Sequence, residues 1–592
     1  MESDTSYIRY PLLLLNIVLI WIKFKSFAES KCVDVLQKSS HLYLTLFIAG
    51  LVAGAIAISV SLIQRIFFGG IFIPELASQT LFSLTPGEVE SQAVETLGPI
   101  AKYSAFIGAL IVNLIIYGVL GIFLPGIREK IRSRHSFLIN AAISSVISYV
   151  VMLIISVTLL AIADIGIKSA SVQPMIIYVI LPHIAFGFTL AYFYRNIKRP
   201  STIGLKEVTT AAPSPSPSIS ASIPEVDQKK RLLLKAGVAS AAVIPFLYIG
   251  LNNLLFPREA TQSSLPLESQ LKLKSPPAGF DDPRLTPLLA SEITPTDLFY
   301  RVDINPVPPT VDVNSWKLLM KGLVSRPLTI TYEELKAMPS VQQIATLECV
   351  SNKIGNDFIG TAIWNGIRLK DLLAKAQVKP NAKYIVFRCA DGYDVGIPLE
   401  RGFQDGSILA YGMNGETLTA KHGYPVRAIT PGLYGMMNPK WITEIELVGE
   451  IYEGYWQKKG WANNAQYNTH SFIVIPDNAP VRKNFRNLGS IKIVVGEKIP
   501  IAGVAFAGDR GISKVEVSAD GGSSWSEARI KEPLSPFTWV LWATELNVTN
   551  RNNYKIVVRA TDNTGKIQTA EVRNPFPNGA TGYHTVNIQA SS

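Results

Sequence analysis

Ile344–Asp357 reads IATLECVSNKIGND. An apolar run leads into Cys349, and Ser351, Asn352 and Gly355 follow it. The chain has only three cysteines in 592 residues. A lone thiol at a strand end is either a small core residue or a ligand or nucleophile. These two readings imply different folds and different chemistry, and the rest of the chain has to separate them.

A chain of this length exceeds a single hydrophobic core, so several domains are expected. Three cysteines cannot build a disulfide framework, and no CxxC pair encodes a zinc ribbon, a thioredoxin-type site or a haem attachment. Hydrophobic residues make up 48% and the net charge is +11. Much of the positive charge flanks apolar runs, which points to membrane orientation rather than nucleic-acid binding.

Four runs are long enough to span about 30 Å of hydrocarbon: His41–Phe68, Ala101–Leu124, Phe137–Ala163 and Pro174–Tyr194. A shorter run, Pro11–Ile22, is left open as an interfacial helix. Arg128, Lys130, Arg132 and Arg134 lie between the second and third runs, and Arg195, Lys198 and Arg199 follow the fourth. The loop after the first run carries Glu75, Glu88, Glu90 and Glu95 and neither Lys nor Arg. The positive-inside rule then puts both ends of residues 1–200, a helical membrane bundle, on the cytoplasmic side. A bis-histidine haem needs two ligands at matching depth, and no second histidine is evident beside His183. His183 is therefore expected to be a packed polar residue, and a haem stays open but unsupported.

Residues 201–228 are rich in Pro, Ser and Ala and read as a linker. Residues 229–256 then place KKRLLLK before an apolar stretch, the layout of a signal-like anchor. KRLLLK resembles a twin-arginine export signal with Lys230 and Arg231 in the paired positions. An ordinary fifth span is the alternative. Either way the remainder is expected outside the cytoplasm, beginning with a linker at 257–290.

From Ser291 the composition is that of a soluble mixed α/β domain, expected over 291–475. Strand patterns occur in SWKLLMKGLV, YIVFRCA and ITEIELVG, and short helical ones in TYEELKAM and RLKDLLAKA. Six segments stand in order here: FYRVDINPVPPTVDVNSWKLLMKGLV, TLECVSN, WNGIRLKDLLAKA, YGMNGETLTAKHGYPVRAITPG, NPKWITEIEL and YWQKKGW. Together they resemble the sulfite oxidase-like molybdopterin enzymes, and the similarity is greatest to a bacterial membrane-anchored branch.

That resemblance implies a molybdenum cofactor held by a pterin dithiolene and one protein thiolate, soft donors suited to such a metal. Cys349 matches the family's cysteine ligand. His422, Arg427 and Lys440, thirteen positions after Arg427, match residues that hold the pterin and its phosphate. Asn352 is expected to hold the ligand loop, and Gly432 and Gly435 to allow close approach of backbone to the cofactor. Asp391 either lines the site or only shapes its turn. Cys389 falls where the family needs no sulfur and is expected in the core, and Cys32 lies in the basic N-terminal segment and is read as incidental. Arg301 matches a substrate-side arginine, but Val302 and Asp303 follow where sulfite oxidase has asparagine and histidine. Lys353 and Ile354 replace basic residues after Asn352, and Trp461 stands where the family has an active-site tyrosine. These departures separate the oxygen-transfer chemistry, which is expected, from sulfite as the substrate.

Residues 476–592 alternate apolar and polar residues around the Asp-Gly-Gly turn of ISKVEVSADGGSSW. They are expected to form an immunoglobulin-like β-sandwich similar to the family's dimerisation domain. His584 is weighed between a structural role and approach to the pocket.

Three functions are compatible with these residues. The first is a membrane-anchored molybdenum oxidoreductase, extracytoplasmic in a bacterial inner membrane. It would act on a small-molecule substrate, pass electrons to a separate carrier or to quinone, and form a homodimer through the C-terminal domain. The second is an envelope sulfoxide reductase fed with electrons through the bundle. The third is a binding module without catalysis. A nucleic-acid partner is not expected.

Overall fold

The computed structural model describes residues 36–68, 71–97, 100–130, 137–162, 172–197, 277–305, 307–476, 493–551 and 553–590. The expected interfacial run, the Pro/Ser linker, the signal-like anchor and Cys32 lie outside the described residues. The chain divides into two compact units.

The first unit is helical. Its long helices are α1 (Leu36–Phe68), α4 (Ile100–Lys130), α5 (Phe137–Ile162) and α6 (Val172–Ile197). Between α1 and α4 come α2 (Ile73–Leu84) and α3 (Gly87–Leu97), and from Glu75 to Ile107 the chain belongs to the second unit. The spans Tyr43–Phe68, Tyr103–Leu124 and Phe137–Ile162 are long and apolar enough to cross a membrane. The fourth expected run forms α6, which contains Pro182.

Small residues set the helix contacts, as they do where lipid removes the hydrophobic drive to associate. Gly50 and Gly121 face each other so closely that a Cβ on Gly121 would lie 2.6 Å from the Gly50 Cα. On α5 the buried side is Ala141, Ser145, Ser148, Met152 and Ser156, while Val146, Val150, Ile154 and Val157 are exposed. Apolar side chains pointing outward are what a lipid-facing surface requires. His183 is buried, with Nδ1 3.2 Å from Ser148 Oγ, and lines a crevice with Asn113 and Tyr117.

The second unit holds the sheets. The strands of its first part are β1 (Lys317–Gly322), β2 (Leu328–Thr331), β3 (Ser340–Glu348), β4 (Ile359–Arg368), β5 (Tyr384–Cys389), β6 (Asp394–Pro398), β7 (Ile408–Met413), β8 (Glu416–Thr417), β9 (Arg427–Ile429) and β10 (Ile442–Val448). One sheet has the order β2-β1-β10-β5-β6. The other has β3-β4-β7-β8, with β9 paired to β7. β7 is buried along its whole length and β4 along all but its last residue, as central strands covered on both faces are. The helix Leu369–Ala376 lays Leu369, Leu372, Leu373 and Ala376 into the core at helical spacing. Thr331 and Glu334 form a capping box on the helix Tyr332–Lys336.

The second part is a sandwich of β11 (His470–Ile475), β12 (Lys498–Phe506), β13 (Ile512–Ser518), β14 (Ser526–Glu527), β15 (Arg529–Ile530), β16 (Val540–Asn547), β17 (Asn553–Asp562) and β18 (His584–Gln589). The sheets β11-β12-β16-β15 and β14-β13-β17-β18 share a core containing Ile473, Ile501, Val515, Trp542 and Val558. The sandwich draws its edge strand β11 from upstream of residue 476, where the sequence pattern starts this domain. The reason is the pairing of His470–Ile475 with β12. His584 is structural: its Nδ1 accepts the Ile473 N–H at 3.2 Å.

Candidate active site

β3 ends at Glu348, the chain turns, and β4 returns it to the sheet. Cys349 opens that turn. Its N–H donates to Phe358 O at 2.9 Å, and Asn352 N–H donates back to Cys349 O at 2.9 Å. Gly355 takes φ +88°, a left-handed conformation that favours glycine. Asn352 staples the loop: its amide donates to Glu348 Oε1 at 3.0 Å and its carbonyl accepts Phe358 N–H at 3.1 Å.

The Cys349 thiol is buried, with Sγ 3.1 Å from Ser351 Oγ. Burial pushes its pKa up, and the Ser351 contact opposes this. A protonated thiol in such a place becomes a thiolate when a metal cation binds it. Cys389, in contrast, belongs to the apolar core.

A cluster of cations lies in the same unit. Arg427 begins β9, and its guanidinium donates to His422 O at 3.2 Å and Asn438 O at 3.3 Å, while its Nε is buried without a hydrogen-bond partner. It also sits 4.8 Å above the Trp364 ring. Burial lowers its pKa to about 10. His422 ends the 3-10 turn Ala420–His422, and its Nε2 donates to Thr296 O at 2.9 Å. Burial first, then Lys440 and Arg427, lower its pKa to about 3, so the ring is neutral. The Lys440 ammonium pairs with Asp303 and donates to Lys421 O at 3.3 Å; burial pulls its pKa down. Gly423, at φ +109°, leaves room for this cluster: a Cβ there would meet Lys440 at 3.0 Å and Arg427 at 3.1 Å.

Asp303 is almost fully buried and pairs with Arg301 as well as Lys440. Sequence reasoning treats it only as a departure from the family pattern, whereas the structure makes it the counter-ion of two site cations. Tyr300 was also missed. Burial raises its pKa well above the ordinary phenol value, the nearby Cys349 adds to this and Arg427 opposes it. A Cβ on Gly435 would stand 2.3 Å from the Tyr300 hydroxyl and 3.2 Å from Glu348 O. Gly432 instead gives room to Asp509 of the sandwich. The pair Glu348–His470, with Oε1 3.5 Å from Nε2, backs the cysteine loop and has no signal in local sequence because its halves are far apart.

Asp391 shapes its turn. Its carboxylate accepts Tyr393 N–H at 3.0 Å in the turn, and its backbone carbonyl accepts the Asn305 amide at 2.8 Å. Burial pushes its pKa up to about 7, with Asp303 adding and Lys440 opposing. Trp461 stands further out, packed edge-on against Trp456 at 6.4 Å and Phe576 at 5.2 Å. Phe576 comes from the NPFPNGATGYH loop, which reaches this side: Ala462 N–H donates to Pro577 O at 3.2 Å.

The donor set fits a molybdopterin. Among the described residues no three His, Cys, Asp or Glu side chains converge on a metal position. A metal at Cys349 therefore needs most of its ligands from a group it arrives with, as a dithiolene provides. Arg301 and Lys440 pair with the Asp303 carboxylate, and Arg427 Nε is buried without a hydrogen-bond partner. A buried excess of positive charge with an unused donor calls for an anion such as a phosphate.

Residues 304–456 match the family described as "Oxidoreductase molybdopterin binding domain", and residues 462–591 match "Mo-co oxidoreductase dimerisation domain". An uncharacterized oxidoreductase, YuiH of Bacillus subtilis, is 33% identical over 157 residues, 26% of this chain and 76% of that protein. The chain belongs to the sulfite oxidase-like molybdopterin oxidoreductases. Sulfite oxidase of Arabidopsis thaliana is 28% identical over 367 residues, 54% of this chain and 92% of the plant protein. The mitochondrial sulfite oxidase of Rattus norvegicus is 27% identical over 51% of this chain, which spans 62% of the rat protein. The sulfane dehydrogenase SoxCD of Paracoccus pantotrophus is similar over 50% of this chain and 81% of that one, at 25% identity and a TM-score of 0.43. This sulfite oxidase-like oxidoreductase thus uses a molybdenum cofactor, and Cys349, Arg427 and His422 lie within the matched cofactor domain.

Proposed function

We propose that this chain is a membrane-anchored molybdenum oxidoreductase that moves an oxygen atom to or from a small substrate. When bound, the cofactor supplies two-electron oxygen-atom transfer. The Cys349 thiolate ligates the metal, held in place by the turn that Asn352 staples. Arg427, His422 and Lys440 hold the pterin and its phosphate, with Asn352 and Asp391 at the edges of that site. Arg301 and Trp461 face the substrate. The observation that carries this reading is the buried Cys349 thiol in one unit with a buried cationic cluster whose Arg427 Nε has no partner.

The three apolar helices anchor the enzyme in a bacterial inner membrane with the catalytic domain on the extracytoplasmic side. Electrons then pass to a separate carrier or to quinone, and the C-terminal sandwich, read as immunoglobulin-like, pairs two copies. The test is metal analysis with assays in both directions. Protein from a molybdenum-replete host is expected to hold about one molybdenum per chain by the single-thiolate chemistry of the site. Cys349→Ser is expected to abolish turnover while pterin stays bound. Metal-free, pterin-free wild-type protein would refute the assignment.

One observation favours the second reading, sulfoxide reduction. Asp303 neutralises Arg301, and an indole replaces the family's phenol, so the substrate side attracts an anion less than a sulfite pocket does. A neutral sulfoxide suits such a site. Sulfite with ferricyanide, against methionine sulfoxide with reduced viologen, separates the two.

A further inference from the structure

The acidic segment between the first two membrane-length helices packs on YWQKKGW within the same compact unit. Lys459 is the centre of that contact. Its ammonium donates to the Glu90 carboxylate at 2.8 Å and to Phe82 O at 2.6 Å. The two side chains are only 9% and 15% exposed. Phe82 O lies in the last turn of α2 and also accepts the Thr85 N–H at 3.2 Å, and Glu90 lies in the first turn of α3. One lysine therefore caps one helix and pairs with the next. The same ammonium lies 4.6 Å from the Tyr455 ring and 5.3 Å from the Trp456 ring.

Gly87 completes the contact. A Cβ there would fall 2.6 Å from Lys459 O and 3.0 Å from Trp461 Nε1. Only glycine lets the start of α3 lie flat against the indole. Trp461 is 5% exposed, and its Nε1 is buried with no hydrogen-bond partner. Its ring is thus held by shape alone, between Gly87, Trp456 and Phe576.

We propose that Glu90 and Gly87 are positioning residues of the catalytic site. Through Lys459 and Trp461 the acidic segment of α2 and α3 sets the substrate-side rim, so a part of the chain far upstream of the cofactor domain shapes its specificity. This rests on the reading of Trp461 as substrate-facing.

The test uses detergent-solubilised holoenzyme and the variants E90Q, E90D, G87A and K459M. Hydrogen exchange of residues 455–462 reads the rim without any substrate. It is expected to rise in E90Q, G87A and K459M and to recover in E90D. With whichever substrate pair turns over, KM is expected to rise at least about fivefold with kcat changed less than about twofold, the signature of lost uniform binding. The double variant E90Q/K459M is expected to be no worse than either single one. Faster exchange with unchanged KM would leave a structural contact only and overturn the proposal. Unchanged exchange in E90Q and G87A overturns it whether or not turnover is found. A wild type that binds molybdenum but acts on neither substrate refutes the substrate reading instead, and exchange alone then decides the clamp.

Discussion

Asn352 donates its side-chain amide to the Glu348 carboxylate at 3.0 Å, joining the residue before Cys349 to the turn after it. The same side chain accepts the Phe358 N–H, so one residue closes both ends of the Cys349 loop. Asn352→Ala would leave a buried carboxylate oxygen and an amide unsatisfied, a cost of about 1–3 kcal/mol. A lower melting temperature and a lower molybdenum content per chain are expected, read by thermal melts and metal analysis. Normal metal retention would show that the turn holds without this staple.

His422 predicts a specific acid sensitivity. Its folded pKa is held near 3, below the ordinary 6.5, because burial and two cations disfavour the charged ring. The unfolded chain binds this proton below about pH 6.5 and the folded chain does not. Its stabilising contribution is therefore present above pH 6.5 and lost as pH falls toward 3. Cofactor-free wild type should lose up to about 1.4 kcal/mol per pH unit through this group. His422→Gln should show a slope smaller by about one proton between pH 6 and 4 (a window set by these pKa values). Loading the anionic cofactor should also flatten the wild-type slope. Chemical denaturation at several pH values measures both.

Asp303→Asn removes the shared counter-ion of Arg301 and Lys440. Leaving those cations buried without it should destabilise the cofactor-free protein by about 3 kcal/mol. Without the Asp303 carboxylate beside it, Arg301 would attract an anion more strongly. The ratio of sulfite to methionine sulfoxide kcat/KM should rise about tenfold, corresponding to about 1.4 kcal/mol. An unchanged ratio would mean that Arg301 does not face the substrate.

Glu292 and Lys531 form a buried ion pair at 3.0 Å between the start of the cofactor domain and the sandwich. Lys531→Met should cost about 3–5 kcal/mol because it strands a buried carboxylate. The double variant Glu292→Leu/Lys531→Met should recover most of that loss. Thermal melts of the single and double variants distinguish a stranded charge from simple loss of packing.

Much of this architecture was legible in the order of residues. Three of the expected spans are membrane-length apolar helices, and TYEELKAM, RLKDLLAKA and ISKVEVSADGG fold as their periodicity implies. Cys349, His422, Arg427 and Lys440 stood out as candidates because each lies inside a short contiguous motif. Other features were hidden because they join distant segments. Asp303 reads in sequence as a substitution, yet it meets Lys440 137 positions later. Glu348 meets His470 across 122 positions (470 − 348).

The sequence by itself determined the membrane-length helices, the sheet-rich cofactor domain and the place of one thiol at a strand end. Hydropathy and local periodicity act over a few residues, and a motif carries its own spacing. Only the tertiary structure decided which charges cancel, where Tyr300 stands, and that the acidic loop after α1 grips Lys459. Electrostatics and steric contact depend on distance in space, and folding brings Glu90 and Lys459, 369 positions apart, to 2.8 Å.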